Sequence, residues 1–242
     1  MSTSADQIEV NGIRVDVVRK NIKNLHLGVY PPAGRVRVAA PEHLDDEAVR
    51  LAVASRLAWI RRQQEHYAAQ ERESAREMVT GESHYLQGRR YRLDVVVVTG
   101  RPSVSLRDGR TLEMRIRAGT STADRRQLLQ RWYRRLLRGQ VADLLAKWQP
   151  VVGVEVADWG IKRMKTRWGT CNSEARRIWI NLELAKKPPA CLEYIVVHEL
   201  VHLIERCHNE RFRELMDHHL PQWRMNRDEL NSAPLVHEDW VY

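Results

Sequence analysis

Long apolar runs, a cysteine framework and low-complexity tracts are all missing from this 242-residue chain. The longest purely aliphatic run, Val95 to Val98, is far too short to span a bilayer, and no membrane partner is expected. The opening MSTSADQIEV has no basic stretch followed by an apolar one, so export is not expected either. Only three cysteines occur, Cys171, Cys191 and Cys207, with no CxxC spacing. An odd, scattered set excludes a disulfide framework and a separate zinc knuckle, and it suits a reducing cytoplasm. No Gly/Ser linker forces a domain boundary, and no internal repeat is evident. Acid is in short supply: 31 Asp and Glu against 40 Lys and Arg leave a formal charge of +9. Such a balance favours anionic substrates, nucleic acid or acidic partners without choosing among them, and no C2H2 or RNP1 pattern supports nucleic acid in particular. Part of the charge is interleaved with acid, as in RRQQEHYAAQERESARE (61–77), which reads as the solvated face of a long helix.

What is present is enough to fold. Hydrophobic residues make up 43% and charged residues 29%, the balance of a globular protein rather than a disordered one. From Ile8 to Ala40 short apolar alternation is broken by Asn11-Gly12, Pro31-Pro32 and Gly34, which predicts strands joined by turns. Asp45-Asp46 opens a helical stripe of Val49, Val53, Leu57 and Ile60 that is expected to run toward Met78, with Trp59 on its inner side. A second strand-rich stretch covers Tyr85 to Arg117, and a second long helix covers Thr122 to Gln149, with Pro150 beyond its end. Val151–Lys165 and Arg177–Asn181 read as two strands around a turn holding Gly169 to Ser173, after which Pro188-Pro189 introduces another helix. The expected class is α+β, with an N-terminal β-rich region and one long helix over residues 1–120 and a helical region over 121–242, or one compact domain overall.

The segment His198-Glu199-Leu200-Val201-His202 carries the chemistry. Two histidines four residues apart share one helix face about 6 Å apart along the axis, so both imidazoles can meet one ion while Glu199 points toward its water. Zinc held by three protein ligands leaves a fourth position for water, whose pKa falls to roughly 7, and Glu199 can take the proton as a carbonyl or phosphoryl centre is attacked. The bland alternative, three incidental helix residues, is opposed by the flanks. Ile195, Val196, Val197, Leu200, Val201, Leu203 and Ile204 mark a helix buried on most sides, where imidazoles and a carboxylate are costly unless paired or bound to metal. On an unbroken helix His208 would stand about 15 Å beyond His198, so the chain must turn first. Asn209-Glu210 resembles a helix cap and first-turn acid, and Phe212, Leu215 and Met216 supply a new stripe, so a break near Arg206-Cys207 lets His208 fold back as third ligand. Glu214, Cys207, His218 and His219 compete for that place.

The stretch RWGTCNSEARRIWINLELAKKPPACLEYIVVHELVHLIERCHNERF (167–212) resembles the signature of the YgjP-like predicted metal-dependent hydrolases, relatives of the SprT and WLM metallopeptidases. The resemblance rests on Arg167 to Cys171, Asn181, the HELVH helix and His208 with Phe212 four residues later. It extends upstream through Trp59-Ile60, LQGRRYRL and Trp132-Tyr133. It implies that residues 121–242 are a zincin-like catalytic region, with the HExxH helix packed on a small antiparallel sheet and zinc bound by His198, His202 and His208. Glu205 stands where the metzincins have a glycine, so the turn between ligands is made another way. Arg167 and Trp168 either line a substrate groove or staple the hairpin to the helix, Asn181 is a candidate for substrate binding, and Tyr194 and Asn181 are open as oxyanion donors.

Three functions follow. The first is a metallopeptidase acting on a peptide or protein, with the substrate pairing to an edge strand such as Ile178 to Asn181 and Glu199 as general base. The second is a zinc-dependent phosphohydrolase acting on nucleotides, motivated by Lys162, Arg163, Lys165 and Arg167. The third is a nucleic-acid-associated zinc-binding module.

Overall fold

In a computed structural model the described residues are 6–30, 34–69, 76–164 and 167–232. They form an α+β protein that divides into two compact units between Ala75 and Arg76.

The first unit opens with strands β1 (Asp6–Val10), β2 (Ile13–Lys20), β3 (His26–Tyr30) and β4 (Arg35–Pro41). Asn11 and Gly12 join β1 to β2 with φ of 49° and 78°, the left-handed pair that a two-residue type I′ hairpin demands. The strand order is β1-β2-β4-β3, in which β2 and β4 run parallel and the outer pairs antiparallel. Asp45 then caps α1 (Asp46–Ala54), its side chain accepting the Ala48 N–H at 2.8 Å. Helix α2 (Leu57–Ala69) follows after a break at Ser55-Arg56. The single helix expected to run toward Met78 is therefore two, and residues 76–79 are not helical; residues 70–75 lie outside the described ones. Restarting at Leu57 turns Ile60 inward with Val49 and Val53 against Val15, Val17, Val36 and Val38. Trp59, expected inside, is 38% exposed.

The second unit begins with β5 (Ser83–Leu86), β6 (Arg89–Val97), β7 (Ser103–Arg107) and β8 (Thr111–Ile116). Their order, β5-β6-β8-β7 with β6 and β8 parallel, repeats that of the first sheet. Its first hairpin is again type I′, with Gln87 at φ 50° and Gly88 at φ 77°. No repeat is evident in the sequence because the two copies share strand order and turn geometry rather than residues. The apolar side chains of β5, β6 and β8 enter one core with the helices that follow, so the compact unit starts well before residue 120.

Ser121 caps α3 (Thr122–Val152), which continues past Gln149 and through Pro150. Its stop is Gly153 at φ 76°, where the N–H groups of Gly153 and Val154 both donate to the Gln149 carbonyl, at 2.9 and 3.1 Å. Strands β9 (Asp158–Lys162), β10 (Gly169–Asn172) and β11 (Arg177–Asn181) form a third sheet in the order β10-β11-β9. The expected turn at Gly169 to Ser173 is thus largely a strand, and the expected antiparallel sheet is mixed, because β9 and β11 are parallel. A 3-10 turn at Leu182–Lys186 leads into α4 (Pro189–Val201), with proline at its first position, then α5 (Glu210–His219) and α6 (Trp223–Ser232). The tip of the β5–β6 hairpin holds the approach to α4. The Gln87 and Gly88 N–H groups donate to the carbonyls of Ala185 and Lys186, both at 2.9 Å. A Cβ on Gly88 would stand 2.8 Å from Pro188 Cγ, so only glycine fits there.

Candidate metal centre

Helix α4 is apolar on nearly every side: Ile195, Val196, Val197, Leu200 and Val201 are all buried. Of its charged or imidazole side chains, Glu193 binds Lys147 and Trp148 of α3, Glu199 lies against Gly169 of β10, and His198 stands one turn before the cap residue His202. The helix ends at Val201 with His202 as its cap, a turn earlier than expected. Two further turn residues, Leu203 and Ile204, and the loop 205–209 then lead to α5, whose N-cap Asn209 accepts the Phe212 N–H at 2.9 Å, as its sequence implies. That corner carries His208 back over the helix end.

His198, His202 and His208 are the one group of three or more potential metal-binding side chains among the described residues, their ligand atoms all within 4.8 Å of one another. Glu214, Cys207, His218 and His219 do not join it. The Nε2 atom of His198 stands 3.1 Å from that of His202 and 3.0 Å from that of His208. One imidazole nitrogen carries either one proton or one lone pair, so it cannot satisfy two such neighbours at once. A cation can, because nitrogens roughly 2.0–2.1 Å from one tetrahedral ion stand about 3.3 Å apart. The His202 ring is held in the matching tautomer, since its Nδ1–H donates to the Glu205 carbonyl at 3.0 Å and leaves the Nε2 lone pair for the cluster. Burial, followed by the charges of His202 and His208, pushes His198 down to about 3, so it is a neutral ligand at any ordinary pH. The residues therefore fit a divalent ion.

Phe212, the only phenylalanine of the chain, lies against all three imidazoles, with ring centroids 4.9, 4.7 and 4.8 Å from those of His198, His202 and His208. Tyr194, one turn before His198, meets that ring edge-on at 5.6 Å and stacks on Trp223 at 6.2 Å.

Glu199 is 4% exposed, and its Oε2 is buried without a hydrogen-bond partner. Burial pushes its carboxyl up to about 8, against a smaller downward pull from Arg167. The carboxylate rests on Gly169 of β10: a Cβ there would stand 2.8 Å from Glu199 Cδ and closer still to Oε1. Sequence reasoning placed Gly169 in a turn and gave it no role. The available signal was a glycine inside a strand, which marks close approach of another group to the backbone.

The remaining candidates separate. Arg167 is exposed and close enough to act on Glu199, and Trp168 is half-buried against the core with the Lys187 ammonium 5.6 Å from its ring. Asn181 is buried and fully used. Its amide donates to the carbonyls of Met164 at 2.8 Å and Arg167 at 2.7 Å, and its oxygen accepts from Met164 and Glu183 N–H groups. With both donors and both acceptor positions taken, Asn181 fixes the segment before β10 and has nothing left for a substrate. The strand Ile178 to Asn181, considered as a docking edge, is the centre of its sheet, flanked by β10 and β9. The edge beside Glu199 is β10. The bond from Asn181 N–H to the Trp168 carbonyl sets the antiparallel alternation, so the backbone groups of Gly169 and Cys171 point outward from the sheet.

Three convergent imidazoles and a buried carboxylate are the groups that a metal-dependent hydrolase uses. The family model described as YgjP-like, metallopeptidase domain, matches residues 23–233, and the chain belongs to that family. No curated protein sequence matches it. Among solved structures, the metallopeptidase zymogen of Pyrococcus abyssi abylysin is similar over 37% of this chain and 90% of its own, at 20% identity and a TM-score of 0.35. Among the described residues no helix is long and apolar enough to cross a membrane.

Proposed function

We propose that this protein is a zinc metallopeptidase in which His198, His202 and His208 hold the ion and Glu199 is the general base. The observation that carries this reading is the convergence of three Nε2 atoms, with the residue next to His198, Glu199, carrying a buried carboxylate whose Oε2 has no partner. When bound, zinc supplies Lewis acidity, which makes water nucleophilic near neutral pH and polarises the scissile carbonyl. The Glu199 carboxylate takes the proton of the attacking water and hands it to the leaving amine. Burial raises its proton affinity, and the positive charge of a bound ion would lower it again, so that the carboxylate is ionised to accept the proton. The tight seat of its Cγ, Cδ and Oε1 on Gly169 fixes where the carboxylate stands.

The outward N–H and C=O groups of Gly169 and Cys171 offer an extended peptide two points of backbone pairing. A chain paired there runs directly beside Glu199, because Gly169 is the residue that touches it. This edge favours a peptide over a phosphate ester. Arg167, exposed near Glu199, stands where it can hold a substrate carbonyl or carboxylate.

The test compares wild type, Glu199→Gln and His208→Ala on a casein-like protein and on nucleoside triphosphates, with zinc content read by elemental mass spectrometry. The expected result is about one zinc per chain in wild type and Glu199→Gln, much less in His208→Ala, and casein cleavage in the wild type alone. Triphosphate hydrolysis that depends on Glu199, without casein cleavage, would replace the peptidase reading with the phosphohydrolase one. Full zinc in His208→Ala would remove His208 from the ligand set.

A further inference from the structure

Between Asp124 and Asp143, helix α3 carries arginine at 125, 126, 131, 134, 135 and 138, with neither acid nor lysine among them. The first two are occupied: Arg125 donates to the carbonyls of Thr120 and Met78, and Arg126 to that of Arg76. Arg131, Arg134 and Arg135 make no hydrogen bond or ion pair among the described residues, and Arg138 only lies over the Trp159 ring, 5.6 Å from its centroid. Arg131, Arg135 and Arg138 are exposed and Arg134 is half-buried. At about 100° per residue these four positions fall within roughly a third of the helix circumference, and they span about 10 Å along its axis. Like charges three and four residues apart repel each other and weaken the helix. A face that concentrates them with no intervening acid is built for an external anion.

We propose that this face of α3 binds the phosphate backbone of a nucleic-acid strand. The choice of arginine throughout favours phosphate, which the guanidinium fork can engage through two parallel bonds. One strand of a duplex carries about three phosphates over the roughly 10 Å that the four arginines cover, so each exposed guanidinium can meet its own. Trp159 adds an aromatic ring at the edge of the face. A membrane surface fits less well, because the only large exposed hydrophobic residue of α3 is Val151, about 20 Å beyond Arg138, leaving nothing beside the arginines to insert. The proposal does not rest on the peptidase reading.

The test is fluorescence anisotropy of a labelled, mixed-sequence DNA duplex of about 20 base pairs, titrated with the full chain over a range of salt concentrations. Wild type is expected to bind with a steep salt dependence. Arg131→Gln/Arg135→Gln/Arg138→Gln should bind roughly 10²-fold more weakly near 0.1 M salt, with a log–log slope shallower by roughly 3, while the triple lysine variant keeps the slope. Arg131→Gln alone, at a side chain with no partner, should lower the slope by about 1 and guards against misfolding of the triple variant. The proposal is overturned by absence of binding at low salt, or by glutamine variants that bind like wild type. It is equally overturned if phosphatidylserine vesicles or polyglutamate bind as tightly as DNA with the same sensitivity to these variants.

Discussion

Each of the two units buries a single carboxylate among its described residues, Asp16 at 7% exposure in the first and Glu199 at 4% in the second. Asp16, on β2, accepts from Gln7 Nε2 at 3.1 Å and pairs with Arg35, so both of its oxygens are engaged. Glu199, on α4, leaves Oε2 unpartnered in a more enclosed place. Buried polar groups are normally satisfied, and an orphan needs a reason. The first unit thus pairs its buried carboxylate fully, while the second leaves one oxygen of its own open, as the proposed general base requires.

The two acids should part most clearly when each is made an amide. Glu199→Gln is expected to lower kcat/KM for peptide hydrolysis by about 10³, the usual scale for a lost general base, while zinc content and folding are kept. Asp16→Asn should leave kcat/KM per folded molecule unchanged and destabilise the chain by about 1.5–3 kcal/mol, the scale of a hydrogen bond to a charged group. Activity measured alongside urea unfolding checks both. A fall in activity for Asp16→Asn at full folding would erase the distinction.

A smaller effect should separate two glycines of the third sheet. A Cβ on Gly169 presses on the Glu199 carboxylate, whereas one on Gly160, also under 3.0 Å from its neighbour, presses on the Trp179 ring beneath Lys162. If Glu199 is the general base as proposed, Gly169→Ala is expected to cost about 10² in kcat by displacing its carboxylate, with metal content unchanged because the three histidines are untouched. Gly160→Ala should lower the melting temperature and leave kcat alone. Equal kcat for the two variants would mean that the seat of Glu199 on β10 has no bearing on the chemistry.

Local spacing made the centre of this site legible. The four-residue interval of His198 and His202, and the Asn209-Glu210 cap that forces a corner at His208, both concern residues close in sequence, and the structure brings the three imidazoles together. Strand order was not legible, because it depends on contacts between distant segments. Nothing within Ile178 to Asn181 says that β10 and β9 flank it, and nothing near Gly169 says that α4 lies beneath it. Asn181 looked like a free polar group for the same reason: its partners, Met164 and Arg167, are supplied by the preceding loop. The doubled sheet escaped notice because Asn11-Gly12 and Gln87-Gly88 share a conformation while their neighbours share little more than alternation.

Those hairpins allow the comparison to be sharpened on matched backbone. Gly12 and Gly88 have nearly equal φ, 78° and 77°, but a Cβ on Gly12 meets nothing within 4 Å while one on Gly88 meets Pro188. Gly12→Ala should therefore show only the cost of a left-handed residue, about 1–2 kcal/mol. Gly88→Ala adds the overlap with the segment leading into α4, and should cost about 1–3 kcal/mol more. Hydrogen exchange resolved along the chain reads each unit separately. Equal losses in the two units would mean that the Pro188 contact gives way freely.

The smallest expected change comes from the residue beside Gly88. Gln87 is exposed and sits at φ 50°, where asparagine is tolerated better than glutamine, and the first hairpin has Asn11 at that place. The Gln87 contribution to the fold is its backbone N–H, which donates to the Ala185 carbonyl and is kept by any residue but proline. Gln87→Asn should then stabilise the second unit by about 0.5 kcal/mol, seen as a small rise in melting temperature with unchanged kcat/KM. Asn11→Gln should do the reverse in the first unit. If both exchanges destabilise, the two turns are not equivalent, and the Gln87 side chain takes part in holding the approach to the metal-bearing helix.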